Sequence, residues 1–139
     1  MMSYNKIAVA IDFSEAANKA FKKAINTAKE FDATLLIVHV VDTKSFGSIA
    51  AYDLKYAEEL KVKAKEELER LKKVALEEGV AQVETLVEEG AAKTILTSLP
   101  EVDLIICGAT GYSKIEKLML GSVAERIVRH SPYDVLVVR

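Results

Sequence analysis

Five short apolar runs are spaced along this chain, and four of them are nearly continuous rather than alternating. They are Lys6 to Ile11 (KIAVAI), Thr34 to Val41 (TLLIVHVV), Ala81 to Val87 (AQVETLV), Asp103 to Cys107 (DLIIC) and Asp134 to Val138 (DVLVV). A run without polar alternation is a strand covered on both faces, as strands in parallel sheets are. AQVETLV alternates, and therefore belongs at a sheet edge with one face partly wet. The stretches between runs read as amphipathic helices. Strand and helix alternating to the end predict an α/β fold: one open, mostly parallel sheet with right-handed crossovers and helices on both faces.

The helices are specified by their spacing. Ala17, Ala20, Phe21, Ala24, Ile25 and Ala28 follow the i, i+3, i+4, i+7 rule, with Lys19, Lys22, Lys23 and Asn26 opposite. The alanines let that helix lie close to a sheet. A second helix, about Tyr52 to Glu78, carries Ala57, Leu60, Ala64, Leu68, Leu71 and Ala75 on one stripe, with Glu59–Lys63 and Glu69–Lys73 as i, i+4 pairs. Gly79 ends it. A short third helix, about Ala91 to Leu99, turns Ile95 and Leu96 inward, and a fourth from Ser122 to about His130 buries Val123, Ile127 and Val128. The 42–51 segment is long enough to act as a cover, since most such connections run about 2–6 residues.

Composition narrows the class further. At 139 residues the chain is a single domain, 1–139, with no internal repeat. A chain of this size buries roughly two thirds of its unfolded surface and needs no staple. A single cysteine, Cys107, excludes an internal disulfide and suits a reducing compartment. Nineteen basic against twenty-one acidic residues leave a formal charge of −2, so no basic field marks a nucleic-acid binder. The apolar runs fall far short of the ~20 residues that span a bilayer, and the N-terminus lacks the form of a signal peptide. The expectation is a cytoplasmic protein with no membrane and no nucleic-acid partner.

In open α/β sheets, ligands bind beyond the carboxyl ends of the strands, where strand order reverses. Three features fall at such ends. Asp12 follows the first run directly, His39-Val40-Val41-Asp42 closes the second, and a long turn follows DLIIC. In that turn Gly108 lets backbone come close to a ligand, and Gly111 can supply a positive φ. Gly121-Ser122 then opens a helix, whose free N–H groups and positive dipole end favour an anion. Two glycine turns and a helix N-terminus could form a phosphate cradle. Equally, the glycines could only turn the chain, with Ser122 an ordinary N-cap.

At this point the chain resembles the universal stress protein family over nearly its whole length. Gly108-x2-Gly111-x9-Gly121-Ser122 looks like that family's nucleotide motif with its spacing intact. The opening IAVAIDFS (Ile7 to Ser14), HVVD (His39 to Asp42) and GSVAERIVRHS (Gly121 to Ser131) are also typical. The resemblance implies a five-stranded parallel sheet ordered 3-2-1-4-5, Rossmann-like and of the adenine nucleotide alpha hydrolase kind. Members with the full glycine motif bind ATP. Carried over residue by residue, Asp12 would face the ribose or a phosphate-bound metal, with Ala10 and Ile11 on the same strand end. Val40 would meet the adenine through its backbone. Gly108 and Gly111 would border ribose and phosphates, and Gly121, Ser122 and Val123 would cradle the phosphate tail. Apart from the resemblance, Cys107 at the end of the fourth run has neighbours that could make it line the pocket. The implied ligand is ATP or another adenine nucleotide with Mg²⁺ or Mn²⁺, because backbone dipoles leave most of a triphosphate's charge uncompensated. The resemblance also implies a homodimer through the last strand, Val135 to Val138, at an open sheet edge. Two departures stand out: Ala10 replaces a proline common among ATP-binding relatives, and Tyr133-Asp134 stands where a proline more often precedes the last strand.

Each residue also has a plainer reading. Asp12 with Glu15 fits a D-x-x-E capping box. His39, inside an apolar strand, reads as a buried, hydrogen-bonded core histidine, and His130 as a helix-end cap. Cys107 reads as a small core residue. Lys114 and Lys117 in the glycine turn could reach phosphates or simply face water. The G-x-x-x-x-G-K-[ST] motif that places a lysine on phosphates is absent, and no His-Asp pair or paired carboxylates are visible to support efficient phosphoryl transfer. Three functions remain open: a stress-response regulatory or sensing dimer that binds ATP and signals through an unidentified protein partner, a slow ATPase or phosphotransferase, and an adaptor dimer with an empty glycine loop.

Overall fold

The computed structural model describes residues 4–42, 54–111 and 120–139. Five strands and four helices alternate: β1 (Lys6–Ala10), α1 (Glu15–Phe31), β2 (Thr34–Val41), α2 (Leu54–Glu77), β3 (Gln82–Glu89), α3 (Ala92–Ile95), β4 (Leu104–Gly108), α4 (Ser122–His130) and β5 (Asp134–Val138). All strands are parallel, in the order β3-β2-β1-β4-β5, so the order reverses between β1 and β4. No helix among the described residues is long and apolar enough to cross a membrane.

The sheet separates two apolar layers. Ile7, Val9, Leu35, Ile37, Leu104 and Ile106 face α1 and α2, while Ala8, Leu36, Val38, Ile105 and Cys107 face α3 and α4. Alternate residues of each strand point to opposite faces, which is why both sets had to be apolar and why the runs look continuous. β3 lies at the edge; exposure alternates over Gln82, Val83 and Glu84, but Thr85, Leu86 and Val87 are all half-buried, Val87 packing on the α1/α2 layer and Leu86 on the other. Its pairing with β2 reaches Glu89, beyond the apolar limit at Val87, because backbone bonding continues as far as Val41 offers a partner.

The first helix has the expected stripe: Ala17, Ala20, Phe21, Ala24, Ile25 and Ala28 are all buried. Its cap differs from the expected box. Ser14, not Asp12, is the N-cap, and its hydroxyl accepts from Ala17 N–H at 3.1 Å. Asp12 acts one step earlier, accepting from Ser14 N–H and from the Ser14 hydroxyl. A serine two residues after the aspartate reaches the first turn more directly, so the box shifts out of register.

Gly79 ends α2 at φ 108°, a conformation that other residues rarely adopt. Among the described residues, the ion pairs of α2 are Arg70 with Glu67 at 3.0 Å and Lys61 with Glu89 at 3.4 Å, rather than the i, i+4 pairs read from spacing. The third helix is shorter than expected. Thr97 and Ser98 turn their hydroxyls back onto the carbonyls of Lys93 and Thr94, and Pro100 follows, so the helix stops at Ile95. The fourth has the expected limits, but Val128 is 50% exposed. Because α4 lies over the outer end of the sheet, its contact stripe narrows to Ala124 and Ile127, with Val123 half-buried. The 43–51 part of the expected cover lies outside the described residues, as do Lys114 and Lys117.

Leu68, fully buried between α2 and the sheet, contrasts with Val62, which is 53% exposed on the same helix. Leu68→Ala should lower unfolding free energy by about 2–5 kcal/mol. Val62→Ala should stay within about 0.5 kcal/mol of the parent. Urea unfolding of both variants checks the assignment of the buried stripe.

Candidate functional site

At the reversal between β1 and β4, the carboxyl ends of two strands stand side by side. β1 stops at Ala10, but Ile11 still donates its N–H to Val38 O at 2.8 Å. Phe13 then takes a φ of 65°, a left-handed conformation that is unfavourable for an aromatic residue. This turns the chain sharply off the strand, so that Asp12 faces the end of β4 and Ser14 starts α1.

Helix α1 sits tight against that strand end. A Cβ on Gly108 would come 2.8 Å from Ala16 Cβ and 2.9 Å from its carbonyl carbon. The close approach expected at Gly108 is thus made, but to a helix backbone. Gly111 does not adopt the positive φ read from its sequence. Its need for glycine is steric instead, because a Cβ there would lie 3.0 Å from Asp12 Oδ2. Gly121 folds back on the same turn: its N–H donates to Ala109 O at 2.7 Å, and a Cβ would meet Ala109 O and Thr110 Cα, both at 3.3 Å. Gly121 rather than Ser122 is the N-cap of α4, with no side-chain capping bond. Asp12, Gly111 and the start of α4 therefore converge, and a side chain at either glycine would push against its neighbours.

The remaining candidates divide between the faces of the sheet. Ala10, Val40, Cys107 and Val123 belong to the α3/α4 side, and Ser122 is exposed at the first helical position. Ile11 is 4% exposed and faces the α1/α2 core, so only its backbone can reach a ligand on the α4 side. Cys107 is 4% exposed, and burial pushes its thiol up to about 11.

His39 and Phe13 are the residues whose part in the site the sequence did not disclose. The His39 ring is half-buried rather than buried. Its Nδ1 lies 2.7 Å from Ile11 O, and its ring packs on Phe13 with centroids 4.6 Å apart. A carbonyl can only accept, so Nδ1 carries the proton. A cleft of about 530 Å³ opens here, lined by Asp12, Phe13, His39 and Val40 and, from α2, by Lys63 and Glu67. The lone aromatic after an aspartate and a histidine in an apolar run were signals, but neither announces the other across the sheet. Among the described residues, no group of three His, Cys, Asp or Glu could hold a metal unaided.

Comparison with known proteins follows the same outline. The model of the Universal stress protein family matches residues 3–139. A protein of Staphylococcus haemolyticus assigned to the universal stress proteins is 43% identical over 143 residues, covering all of this chain and 87% of the relative. The structure of universal stress protein UspA from Lactobacillus plantarum superposes with a TM-score of 0.87 at 26% identity, covering 100% of both chains. Two more distant structures share the fold at 24% identity: a universal stress protein in complex with cAMP (TM-score 0.75, 99% of this chain and 98% of the other) and one from Archaeoglobus fulgidus in complex with dAMP (TM-score 0.69, 99% and 100%).

A thiol held neutral and buried should not react. At pH 8, Cys107 in the native protein should resist a disulfide reagent such as DTNB over minutes, and react once denaturant unfolds the chain. Rapid modification of the folded protein would show that the α3/α4 side of the sheet opens.

Proposed function

The chain belongs to the universal stress protein family, and from that premise we propose that it is an ATP-binding regulatory or sensing protein of the stress response. The observation that carries the proposal is the convergence of Asp12, the Gly111 turn and the Gly121–Ser122 helix start at the strand-order reversal. Glycines at places where a Cβ would strike Asp12 Oδ2 or the backbone of residues 109–110 leave bare peptide groups facing the cradle. The first N–H groups of α4 have no intrahelical acceptor and favour an anion, as its dipole does. That chemistry fits a phosphate chain, with Ser122 and Val123 contributing N–H groups.

Asp12 would face the ribose or a Mg²⁺ or Mn²⁺ ion accompanying the phosphates. A single carboxylate suits an ion that takes most of its ligands from phosphate and water. Ala10, Ile11 and Val40 would border the adenine, Val40 through its backbone, and Gly108 the ribose. Cys107, being buried, would shape the floor rather than touch the ligand. Relatives solved with cAMP and dAMP support an adenine nucleotide as the ligand class. Binding rather than efficient turnover is the reading, and a cytoplasmic location goes with it.

Isothermal titration of the full-length protein with ATP and Mg²⁺ tests this, after mass spectrometry of any small molecule released on denaturation. Saturable binding is expected. Gly121→Val, which drives a branched side chain into Ala109 and Thr110, should weaken it at least tenfold. Equal affinity in that variant, or no binding by the parent, would leave the adaptor reading in its place.

We also propose a homodimer through β5. This strand has β4 on one side and no strand on the other among the described residues. Val138 O accepts from Ala109 N–H and Asp134 N–H reaches Asp103 O, so even-numbered residues face β4. The peptide groups of Val135 and Val137 therefore point outward, where a second copy could pair. Leu136 packs into the α1/α2 core, so a substitution there would disturb the fold. Val137→Pro removes only an outward N–H, a change that edge strands tolerate. In sedimentation velocity the parent should run as a dimer and Val137→Pro as a monomer. A dimer of unchanged mass would place the interface elsewhere.

A further inference from the structure

Parallel strands bond in a fixed rhythm: once Ile11 N–H has reached Val38 O, the next rung would run from Val40 N–H back to Ile11 O. In this protein the His39 ring occupies that acceptor, with Nδ1 at 2.7 Å. Val38 faces β1, and Val41 faces β3, where its carbonyl accepts from Gly90 N–H at 3.0 Å. Peptide groups of a strand alternate sides, so Val40 faces the β1 side, level with Ile11, the last residue before the chain turns off β1. Among the described residues no bond from Val40 N–H to Ile11 O forms, and that N–H is directed toward the reversal of strand order.

We propose that His39 is a positioning residue of the nucleotide site: by capping Ile11 O in place of Val40, it keeps the Val40 peptide available to the base of the ligand. The proposal rests on the nucleotide-binding reading. One contact and one backbone conformation make the substitution of rung by ring specific. The Phe13 ring packs on the imidazole, holding it over the turn, and the left-handed Phe13 backbone swings the chain away just past the capped carbonyl. Asp12 lies between the two, its Oδ1 tied to Ser14. One histidine thus ends the β1–β2 ladder and braces the turn that carries the carboxylate. A purely structural histidine would need only some acceptor; this one takes the acceptor that would otherwise close the site's edge.

The test uses variants that separate the ring's shape from its donor. Asparagine places its amide N–H near the position of Nδ1, whereas leucine fills space without donating. Amide hydrogen exchange of the full chain, read at Val40 by NMR, is measured without and with ATP and Mg²⁺. Val40 in the free parent should exchange fast relative to Val38, and slow down when nucleotide is added. His39→Asn should behave as the parent does. In His39→Leu the orphaned Ile11 carbonyl should draw Val40 N–H into the ladder, so Val40 becomes protected in the free protein and ATP affinity falls about tenfold, the worth of one hydrogen bond. Val40 already protected in the free parent would overturn the proposal, as would a His39→Leu variant with parental exchange at Val40. The free-protein comparison stands without any ligand: if the parent binds no ATP but Val40 responds as described, the nucleotide reading fails while the role of His39 in ending the ladder holds.

Discussion

Everything at the carboxyl end of this sheet depends on how closely α1 approaches β4. The Ala16 backbone lies where a Cβ on Gly108 would fall, so the helix can dock only because that position carries no side chain. This contact pins the start of α1, and with it the Asp12–Ser14 turn, against the neighbouring strand's carboxyl end. A looser helix would leave Asp12 too far from the Gly111 turn to share a site with it. The alanines at 17, 20, 24 and 28 extend the same close approach along the helix, which is why its buried stripe is so poor in large side chains. Tight packing of small residues, rather than bulk, sets the geometry.

That constraint changes what the glycines mean. All three were read from sequence as one phosphate-binding unit, and the spacing invites this. Their surroundings differ. Gly108 is occupied with helix packing, Gly111 with Asp12, and Gly121 with the folded-back turn at Ala109 and Thr110. Only the last two border the space before α4. Glycine-to-alanine exchange at 108 would therefore disturb the fold whether or not anything binds, whereas the others bear first on the cradle. A motif read as letters cannot distinguish a glycine that admits a ligand from one that admits a helix, since both demand the missing Cβ.

Much of the architecture was legible because burial on two faces leaves a direct trace. Strands such as Leu35 to Val38 must be apolar at every position, whereas the edge strand β3 has no buried residue but Val83 and so admits polar residues between its apolar ones. The errors sit where local bonding competes with periodicity. Ser14 displaces Asp12 as the cap of α1, Thr97 and Ser98 end α3 early, and Val128 falls outside a stripe narrowed by its position over the sheet's outer end. None of these outcomes follows from hydrophobic spacing. Each depends on which hydroxyl reaches a carbonyl first, or on how much of the sheet lies beneath a helix.

The candidate site was legible in part for the same reason. Asp12 and the glycines announce themselves by position after strands, where chain direction and the open-sheet rule place ligands. His39 and Phe13 could not, because their pairing spans twenty-six residues and joins a strand to the turn after its neighbour, which meet only after folding. The histidine's donor goes to a carbonyl, a group every residue possesses, so no partner residue type marks the interaction in sequence. What makes it informative is register: with Ile11 N–H on Val38 O, the imidazole meets the one carbonyl whose ordinary partner would be Val40. The ladder of a parallel sheet can end by running out of strand or by being capped. Here a side chain caps it one rung early, and the Val40 peptide, with no bond to that carbonyl among the described residues, lies at the place where strand order reverses.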